Sequence, residues 1–280
     1  MNSKPLASKD KSGQASIDVV KNYWEKRTPG IKHSKMVPGT RGFLDELEHK
    51  RYTRHYAYLL KEAEFEKHKG EKVLEIGCGM GIDLLQFAKG GAEVTGIDLT
   101  EKAIQYTSQH FAHRDLTGTF CTMNSEELDF SDNTFDVVYS FGVLHHTVDT
   151  QKAIKEVHRV IKPGGKAIIM LYHKGFRYYL KIHLYYGIIK GEYLKYGIKD
   201  LVNQRTEEFF HSPITRVYTR NAAKGLFSQF SVIESANSFR IDDNIWVFGK
   251  FFQLSDFLPN IIRRFIEQRI GWNIVIKALK

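Results

Sequence analysis

The sequence predicts an α/β protein built on a doubly wound, mostly parallel β-sheet. Three observations predict this class. Strand-like and helix-like segments alternate between residues 72 and 172, the first strand runs into a glycine turn and a helix, and the second strand ends in an acid. Such alternation with short turns is typical of helices covering both faces of a parallel sheet. The chain has 280 residues, which suits one large domain or one domain with appendages.

The first strand and the turn after it are the most informative stretch of the chain. Residues 73–81 read V-L-E-I-G-C-G-M-G, and the apolar residues at the start are those of a strand buried on both faces. Gly77, Gly79 and Gly81 follow at alternate positions and allow bare backbone to approach a ligand. The N–H groups at the start of the next helix attract a negative group. This geometry predicts a ligand site at the turn.

The glycine spacing separates two kinds of nucleotide site. A dinucleotide fingerprint is G-x-G-x-x-G, with its third glycine one position later than here. The second strand, residues 92–98, ends in Asp98, where a carboxylate can accept from both hydroxyls of a ribose. The alternatives are an ordinary strand-to-helix turn for the glycines and a helix N-cap for Asp98.

This pattern resembles the class I S-adenosylmethionine-dependent methyltransferases over roughly residues 71–172. The likeness is closest to the small-molecule branch that includes quinone-biosynthesis C-methyltransferases. It is carried by Glu75, the three glycines, Asp98, N-S-E at 124–126, F-D-V-V-Y at 135–139, S-F-G-V-L-H-H at 140–146 and K-P-G-G at 162–165. The family implies a Rossmann-like sheet of seven strands with an antiparallel edge strand, an N-terminal helical lid and C-terminal insertions. Residues 231–236 and 271–279 are the candidates for the last two strands.

The chain accordingly divides into three parts of one domain. Residues 1–70 are expected to form a polar tail and a helical lid, with helices at 16–26 and 43–67. Residues 71–172 are expected to form the cofactor-binding core. Residues 173–280 are expected to supply the acceptor side and the end of the sheet.

The resemblance implies S-adenosylmethionine as the cofactor and indicates which residues hold it. The glycine turn would pass along the donor's amino-acid part, with Glu75 orienting the turn or contacting the ammonium through water. Asp98 would accept from the ribose and Leu99 would face the adenine, where Asn124 replaces the family's common acid. The predicted set is Glu75, Gly77, Cys78, Gly79, Gly81, Asp98, Leu99, Asn124, Ser125, Glu126, Ser140, Phe141 and Gly142. Which of residues 124–126 makes the adenine contact is left open.

Two histidines are the leading candidates for proton transfer. His145 and His146 follow the fourth strand, and the carboxyl ends of such strands form the ligand crevice. A histidine there could take a proton from a thiol, a hydroxyl or a carbon acid. The alternative is a structural histidine bonded to backbone. Tyr23 and His33 are further catalytic candidates, and adjacent histidines cannot chelate a metal from one helix face, so no metal site is predicted.

The acceptor side draws candidates from both flanks of the core. In many relatives an N-terminal segment closes over the cofactor, and aromatic faces can stabilise a sulfonium. The candidates are Trp24, Arg27 and Arg41 from the N-terminal side, and Tyr172, His173, Arg216 and Tyr218 from the other. Alternatively, Tyr23 and Trp24 merely pin the first helix to the core.

Charge is unevenly distributed along the chain. The net charge is +9 overall, +6 over residues 1–70, −5 over 71–172 and +8 over 173–280. Basic flanks admit nucleic acid, an anionic membrane surface, an acidic substrate or simply solvated lysines. Aromatic and basic residues alternate in 172–196 and in 257–270, which could form a lipophilic pocket, a peripheral membrane contact or a cover for the sheet edge.

Composition also bears on location. No window holds 18 uninterrupted apolar residues, so no transmembrane helix is predicted. The N-terminus is polar, and the two cysteines, Cys78 and Cys121, fit a reducing compartment. These features predict a cytoplasmic protein, with peripheral membrane contact as an addition. The oligomeric state is not predicted.

The leading hypothesis is methyl transfer to a small molecule, with a lipophilic or aromatic acceptor favoured. A small thiol or amine is the near alternative. A nucleic-acid methyltransferase is disfavoured because no N-P-P-Y-type sequence and no RNA-binding module is present. A non-catalytic regulator that binds the donor is the non-enzymatic alternative, and the glycine spacing disfavours a dinucleotide oxidoreductase.

Overall fold

The computed structural model describes residues 15–175, 178–206, 211–239, 244–247, 250–253, 259, 262 and 271–280. The helices in these ranges are α1 Ile17–Lys26, α2 Arg41–Lys50, α3 Leu59–Glu62, α4 Ile82–Lys89, α5 Glu101–Ala112, α6 Thr150–Val160, α7 Tyr193–Arg205 and α8 Arg220–Leu226. The strands are β1 Lys72–Ile76, β2 Glu93–Asp98, β3 Thr119–Thr122, β4 Phe135–Phe141, β5 Ile161–Tyr172, β6 Val232–Phe239, β7 Asn244–Val247, β8 Lys250–Gln253 and β9 Asn273–Leu279.

Within the described ranges, seven strands form one sheet in the order β3-β2-β1-β4-β5-β9-β6. Strands β1 to β5 pair in parallel, whereas β9 runs antiparallel to both β5 and β6. This confirms the predicted doubly wound, mostly parallel fold, and the segments expected to end the sheet are β6 and β9. Strand β9 lies inside the edge, between β5 and β6. Strands β7 and β8 form a separate hairpin that the sequence pattern did not indicate.

The sheet is covered on both faces because its central strands are apolar on both sides. Leu74, Ile76 and Val138 pack in one cluster with residues of α6 and α8. Val73 and Tyr139 belong to a second cluster, which contains residues of α3, α4 and α5. This is the layering expected when successive side chains of a strand point to opposite faces.

The segment from 43 to 67 is not the single helix that its apolar spacing predicted. Helix α2 ends at Lys50, and a π-helical turn spans Arg51–His55. The helical conformation is then interrupted at Tyr56, before α3. The Tyr56 N–H donates to the carbonyl of Arg51 at 2.7 Å, which closes the wider turn. The break matters because it turns Arg51 and Tyr56 toward the same cavity.

The part beyond β5 contains a helical pair. A π-helical segment, Tyr178–Ile189, is followed by α7. Tyr178, Ile182, Leu201 and Val202 pack with Trp272 in a small cluster of their own. The predicted amphipathic segment 257–270 lies outside the described residues except for positions 259 and 262.

Candidate active site

A cavity of about 570 Å³ opens at the carboxyl ends of β1, β2 and β4. The glycine turn after β1, helix α1 and the π-helical segment all contribute to its wall. Its position agrees with the rule that open α/β sheets bind ligands beyond the carboxyl ends of their strands. Among the described residues, no group of His, Cys, Asp and Glu side chains is arranged to hold a metal ion.

The glycine turn has the backbone that its residue types permit. Gly77, Gly79 and Gly81 have φ angles of +74°, +57° and +71°, in the left-handed region that favours glycine. A Cβ at Gly77 would lie 2.2 Å from a methyl carbon of Val143, whereas a Cβ at Gly79 would meet nothing within 4 Å. Gly79 therefore exposes its backbone to the cavity. Gly81 is outside the lining and packs instead against Thr107.

Asp98 at the end of β2 lines the cavity and is held by the turn. One carboxylate oxygen accepts from the N–H of Gly79 at 3.1 Å, and the other accepts from the N–H and hydroxyl of Thr100 at 2.9 and 2.8 Å. Burial raises the pKa of the Asp98 carboxyl, while the bonds from Thr100 and Gly79 oppose that rise. The carboxylate is thus fixed in place before any ligand binds.

Glu75 is buried in the cavity wall with one oxygen unused. Its Oε2 has no hydrogen-bond partner in the described part of the chain. Burial raises the pKa of Glu75 well above its ordinary value, Asp83 adds to the rise, and Arg51 opposes it. A cation at this position would satisfy Oε2 and favour the charged carboxylate. Together with the open backbone of Gly79, this fits the amino-acid end of S-adenosylmethionine.

A buried ion pair below Glu75 was not predicted. Arg51 donates through Nε to Asp83 Oδ1 at 2.6 Å and also pairs with Oδ2 through Nη2. The hydroxyls of Tyr52 and Tyr139 donate to the same carboxylate at 2.6 and 2.7 Å. Burial lowers the pKa of Arg51, but Asp83 together with Tyr139 and Tyr52 raises it by more, so the guanidinium stays charged. In the sequence, Asp83 in the first turn after the glycines was the signal available for this pair, but its partner Arg51 lies in a separate segment.

On the adenine side, the structure separates the residues that line the cavity from those that support them. Leu99, Asn124 and Ser125 line it. Asn124 Oδ1 accepts from the N–H of Glu126 at 3.0 Å. Glu126 lies outside the lining, because Oε1 accepts from the N–H groups of Val148 and Asp149, at 2.7 and 3.1 Å, at the start of α6. Of the three candidates at 124–126, Asn124 and Ser125 therefore line the cavity, and Glu126 supports the loop behind them.

The residues at the end of β4 also divide into those that line the cavity and those that support its wall. Phe141 and Gly142 line the cavity, and so does Cys78 on the glycine turn. Ser140 is buried behind them and donates to the carbonyl of Ile76 at 2.9 Å. The guanidinium of Arg51 lies 4.8 Å from the Phe141 ring centroid. Ser140 therefore fixes β4 against β1.

The two histidines occupy different positions. His146 lines the cavity, and its Nδ1 lies 2.7 Å from the carbonyl oxygen of Ile214. His145 is fully buried outside the lining, with its ring centroid 3.9 Å from that of Tyr172. Burial lowers the pKa of His145 well below its ordinary value, and the charges of His146 and Arg216 add to the effect. His145 is consequently a neutral ring behind the cavity wall.

The N-terminal candidates are brought to the cavity only in part. Trp24 and His33 line it, whereas Tyr23 stacks edge-on against Trp24 behind the wall. Arg27 lies over the Tyr23 ring at 4.7 Å, and Arg41 is exposed at the start of α2. Neither arginine belongs to the lining.

The candidates beyond the core are mostly structural. Tyr172 lines the cavity, but His173 does not, and its Nδ1 lies 2.7 Å from the carbonyl oxygen of Gly271. Arg216 donates to the carbonyls of Thr147 and Val148. Tyr218 forms a β-bridge with His173. These three residues hold the loop after β4 and the end of β5.

Several lining residues carried no local signal in the sequence. They come from separate segments and meet only in the fold: Lys50, Tyr56, Met123, Met170, Lys181, Arg205, Thr206, Trp272 and Asn273. Trp272 stacks on Tyr172 at 4.9 Å, and Trp24 contacts His146 at 5.0 Å between ring centroids. Aromatic rings from separate segments therefore meet in the wall of the cavity.

Comparison with known proteins agrees with this geometry. The methyltransferase domain family matches residues 74–169. The ubiquinone biosynthesis O-methyltransferase of Coxiella burnetii is 34% identical over 126 residues, which cover 45% of this chain and 52% of that protein. Its namesake from Pseudomonas aeruginosa is 30% identical over 166 residues, or 59% of this chain and 65% of that protein. The chain thus spans about half the length of the Coxiella relative.

The fold also matches solved structures. Magnesium protoporphyrin IX methyltransferase from Synechocystis PCC 6803, solved with bound SAH, superposes with a TM-score of 0.56 at 14% identity, covering 95% of this chain and 100% of the other. At this identity the likeness shows the fold alone. The curated relatives are O-methyltransferases by name, whereas the sequence pattern pointed to C-methyltransferases of the same small-molecule branch. Residues 74–169 are a methyltransferase domain of the class I S-adenosylmethionine-dependent family, and S-adenosylmethionine is its cofactor.

Proposed function

We propose that the protein transfers a methyl group from S-adenosylmethionine to an oxygen of a small aromatic molecule. The observation that carries this proposal is a single cavity lined by two chemically different sets of residues. One set is the glycine turn with Glu75 and Asp98, which we take as the donor end, and the other is a group of aromatic rings, which we take as the acceptor end. The names of the curated relatives support an oxygen as the methyl acceptor.

The donor end is suited to the three parts of the cofactor. Glu75 offers an unused oxygen to the ammonium, Gly79 offers open backbone, and Asp98 faces the ribose position. Leu99 supplies an apolar face for the adenine. The bound cofactor supplies an electrophilic methyl group on a positively charged sulfur.

The acceptor end is suited to a flat ring. Its rings are those of Trp24, Tyr56, His146, Tyr172 and Trp272. Aromatic side chains pack offset or edge-on against another ring and gain about 0.5–1.5 kcal/mol per pair beyond the area they bury. Orientation of the acceptor beside the methyl group would contribute much of the rate, since placement alone can contribute about 7–11 kcal/mol.

We propose that His146 receives a proton from the acceptor, because of the two histidines it is the one that lines the cavity. The Ile214 carbonyl can only accept, so His146 Nδ1 must carry the hydrogen of that 2.7 Å contact. In the neutral ring the lone pair is then on Nε2. A phenol that loses its proton to Nε2 attacks more readily, an effect worth about 10²–10⁴-fold in such enzymes.

Helix α1 forms the side of the cavity that the sequence assigned to a lid. Glu25 accepts from the N–H groups of Glu101 and Lys102 at 3.1 and 3.2 Å, and Trp24 reaches His146. The helix therefore connects the donor end with the acceptor end. We propose that it excludes water from the cavity when both ligands are bound.

Methyl-labelled donor incubated with a panel of acceptors tests the proposal. The panel contains catechols and other phenols, quinols, small thiols, small amines and RNA, with Asp98→Ala as the control with weakened donor binding. Label in a phenolic methyl ether supports the proposal. Label found only in a thiol, an amine or RNA would identify that class of molecule as the acceptor and contradict the proposal. Donor binding without any turnover would favour the regulator hypothesis.

A further inference from the structure

The helical pair after β5 has one face inside the protein and one face outside it. Tyr178, Ile182, Leu201 and Val202 are buried against Trp272. The opposite face exposes eight large apolar side chains, which we call the outer apolar surface: Tyr179, Leu180, Leu184, Tyr185, Ile188, Ile189, Leu194 and Ile198. Contiguous exposed apolar patches on a protein surface usually mark an interaction site.

Three of the four most exposed of these residues lie near the turn that joins the two helices. Leu194 is 97% exposed, and Ile188 and Ile189 are each 65% exposed. The Leu194 N–H donates to the carbonyl of Gly191, and the Gly191 N–H donates to that of Ile188, so the turn holds the backbones of these residues close together. Most of the surface of these three side chains is exposed in the part of the chain that the structure describes.

Positive charge is concentrated in the same stretch of the sequence. Residues 173–206 contain seven lysines and arginines against two acids. One of the acids, Glu192, is held by Arg205 in a two-bond ion pair at 2.6 Å. Lys190 lies 5.6 Å from the Tyr185 ring centroid, and Lys195 lies 4.9 Å from that of Tyr196. Aliphatic tips with aromatic rings and lysines beside them are typical of helices that lie in a lipid interface.

We propose that the outer apolar surface docks on the surface of an anionic phospholipid bilayer. The aliphatic side chains at the turn would enter the acyl boundary, and the lysines would contact the headgroups. Charge favours lipid over a second copy of the chain as the partner. An apolar surface with lysines beside it complements anionic lipid, whereas two copies of that surface would bring like charges together. No helix in the described part of the chain is long and apolar enough to cross a membrane.

The docked face lies beside the cavity. Lys181 of the π-helical segment and Arg205 and Thr206 at the end of α7 line the cavity from the inner side of the same helical pair. Contact with lipid would therefore bring the acceptor end close to the bilayer. The docking does not depend on the methyl acceptor, and binding to vesicles is measured without turnover.

Vesicle flotation of the full chain tests the docking. Vesicles of phosphatidylcholine alone are compared with vesicles that also contain phosphatidylglycerol. The expected result is binding to the anionic vesicles that weakens as salt is raised, and no binding of the parent protein to anionic vesicles overturns the proposal. The double variant Ile188→Gln/Leu194→Gln is expected to bind them at least tenfold more weakly. Lys190→Gln/Lys195→Gln should lose about fivefold for each lysine.

A matched variant separates this surface from general hydrophobicity. Val37→Gln/Leu60→Gln also replaces two exposed aliphatic residues, which are 70% and 57% exposed elsewhere on the protein. It is expected to bind vesicles like the parent chain. Equal binding by the Ile188/Leu194 variant and the parent overturns the proposal. A parent dimer that this variant dissociates, with no vesicle binding, would instead identify a second copy as the occupant.

Discussion

The two ends of the cavity are built in different ways. The donor end is made of residues that follow directly on β1, β2 and β4, so their order along the chain already places them at one edge of the sheet. The acceptor end combines α1, the break at Tyr56, the π-helical segment, the end of α7 and Trp272. The donor site thus forms with the core itself, whereas the acceptor site depends on segments that pack onto the core. Changes at one end should therefore leave the function of the other end intact.

The largest effect is expected where the donor end rests on the buried ion pair. Asp83→Ala leaves the Arg51 guanidinium buried without its partner and removes the acceptor of two tyrosine hydroxyls. Removal of one member of a buried pair costs about 3–5 kcal/mol. Urea unfolding should show a loss of this size. Asp132→Ala breaks a surface pair with Arg159 and should cost less than about 1 kcal/mol. Equal losses in the two variants would show that the buried pair does not support the fold.

The next effect concerns the acceptor end alone. His146→Gln removes the proposed proton acceptor and should lower kcat about 100-fold. The dissociation constant of the donor should stay unchanged, because the proposed donor contacts are made by Glu75, Gly79 and Asp98 rather than by His146. Steady-state kinetics and calorimetry give the two quantities, with His158→Gln on α6 as the control. A wild-type rate in His146→Gln would mean that no base is needed or that it lies elsewhere.

The reverse separation is expected at the donor end. Asp98→Ala should raise the dissociation constant of S-adenosylmethionine at least tenfold, which is about 1.4 kcal/mol. The substitution also leaves the Gly79 N–H without its acceptor. Calorimetry measures the change against Asp129→Ala, which removes an exposed carboxylate. Unchanged affinity in Asp98→Ala would exclude Asp98 from the site.

The smallest effect concerns pH and the wall behind the acceptor end. The folded pKa of His145 lies below its unfolded value of about 6.5, so the unfolded chain takes up the proton first and stability falls as pH drops below that value. His145→Phe should be nearly neutral above pH 7, since neither ring nitrogen has a hydrogen-bond partner within the described ranges. Urea unfolding at pH 8 and pH 5.5 should show a smaller loss on acidification in the variant. The same loss in both proteins would contradict a neutral buried ring.

Prediction from sequence succeeded where local pattern and position coincide. The helix predicted at 16–26 is α1, which begins at Ile17 because Ser16 accepts from the Val19 N–H as its N-cap. The single helix predicted at 43–67 was wrong beyond Lys50. Arg51, which pairs with Asp83 of α4, begins a π-helical turn, and apolar spacing does not reveal such a turn. The division into a lid, a core and an acceptor side remains a prediction, as do the catalytic roles.

The candidate site shows the same limit. His145 and His146 are adjacent and chemically identical in the sequence, yet one lies behind the wall and the other lines the cavity. Arg216 had the charge expected of an acceptor contact, but its guanidinium is used by two backbone carbonyls of the loop after β4. Residue type indicates what a side chain can do, and packing decides what it faces.

The sequence by itself determined the parallel sheet, the glycine turn and the carboxylate at the end of β2, because strand alternation and glycine's φ freedom act over a few residues. Only the tertiary structure decided which rings meet at the acceptor end, which acid pairs with Arg51 and which apolar face of the helical pair stays outside. Those contacts join residues separated by tens to hundreds of positions. Their energies depend on burial and distance, which no short stretch of sequence specifies.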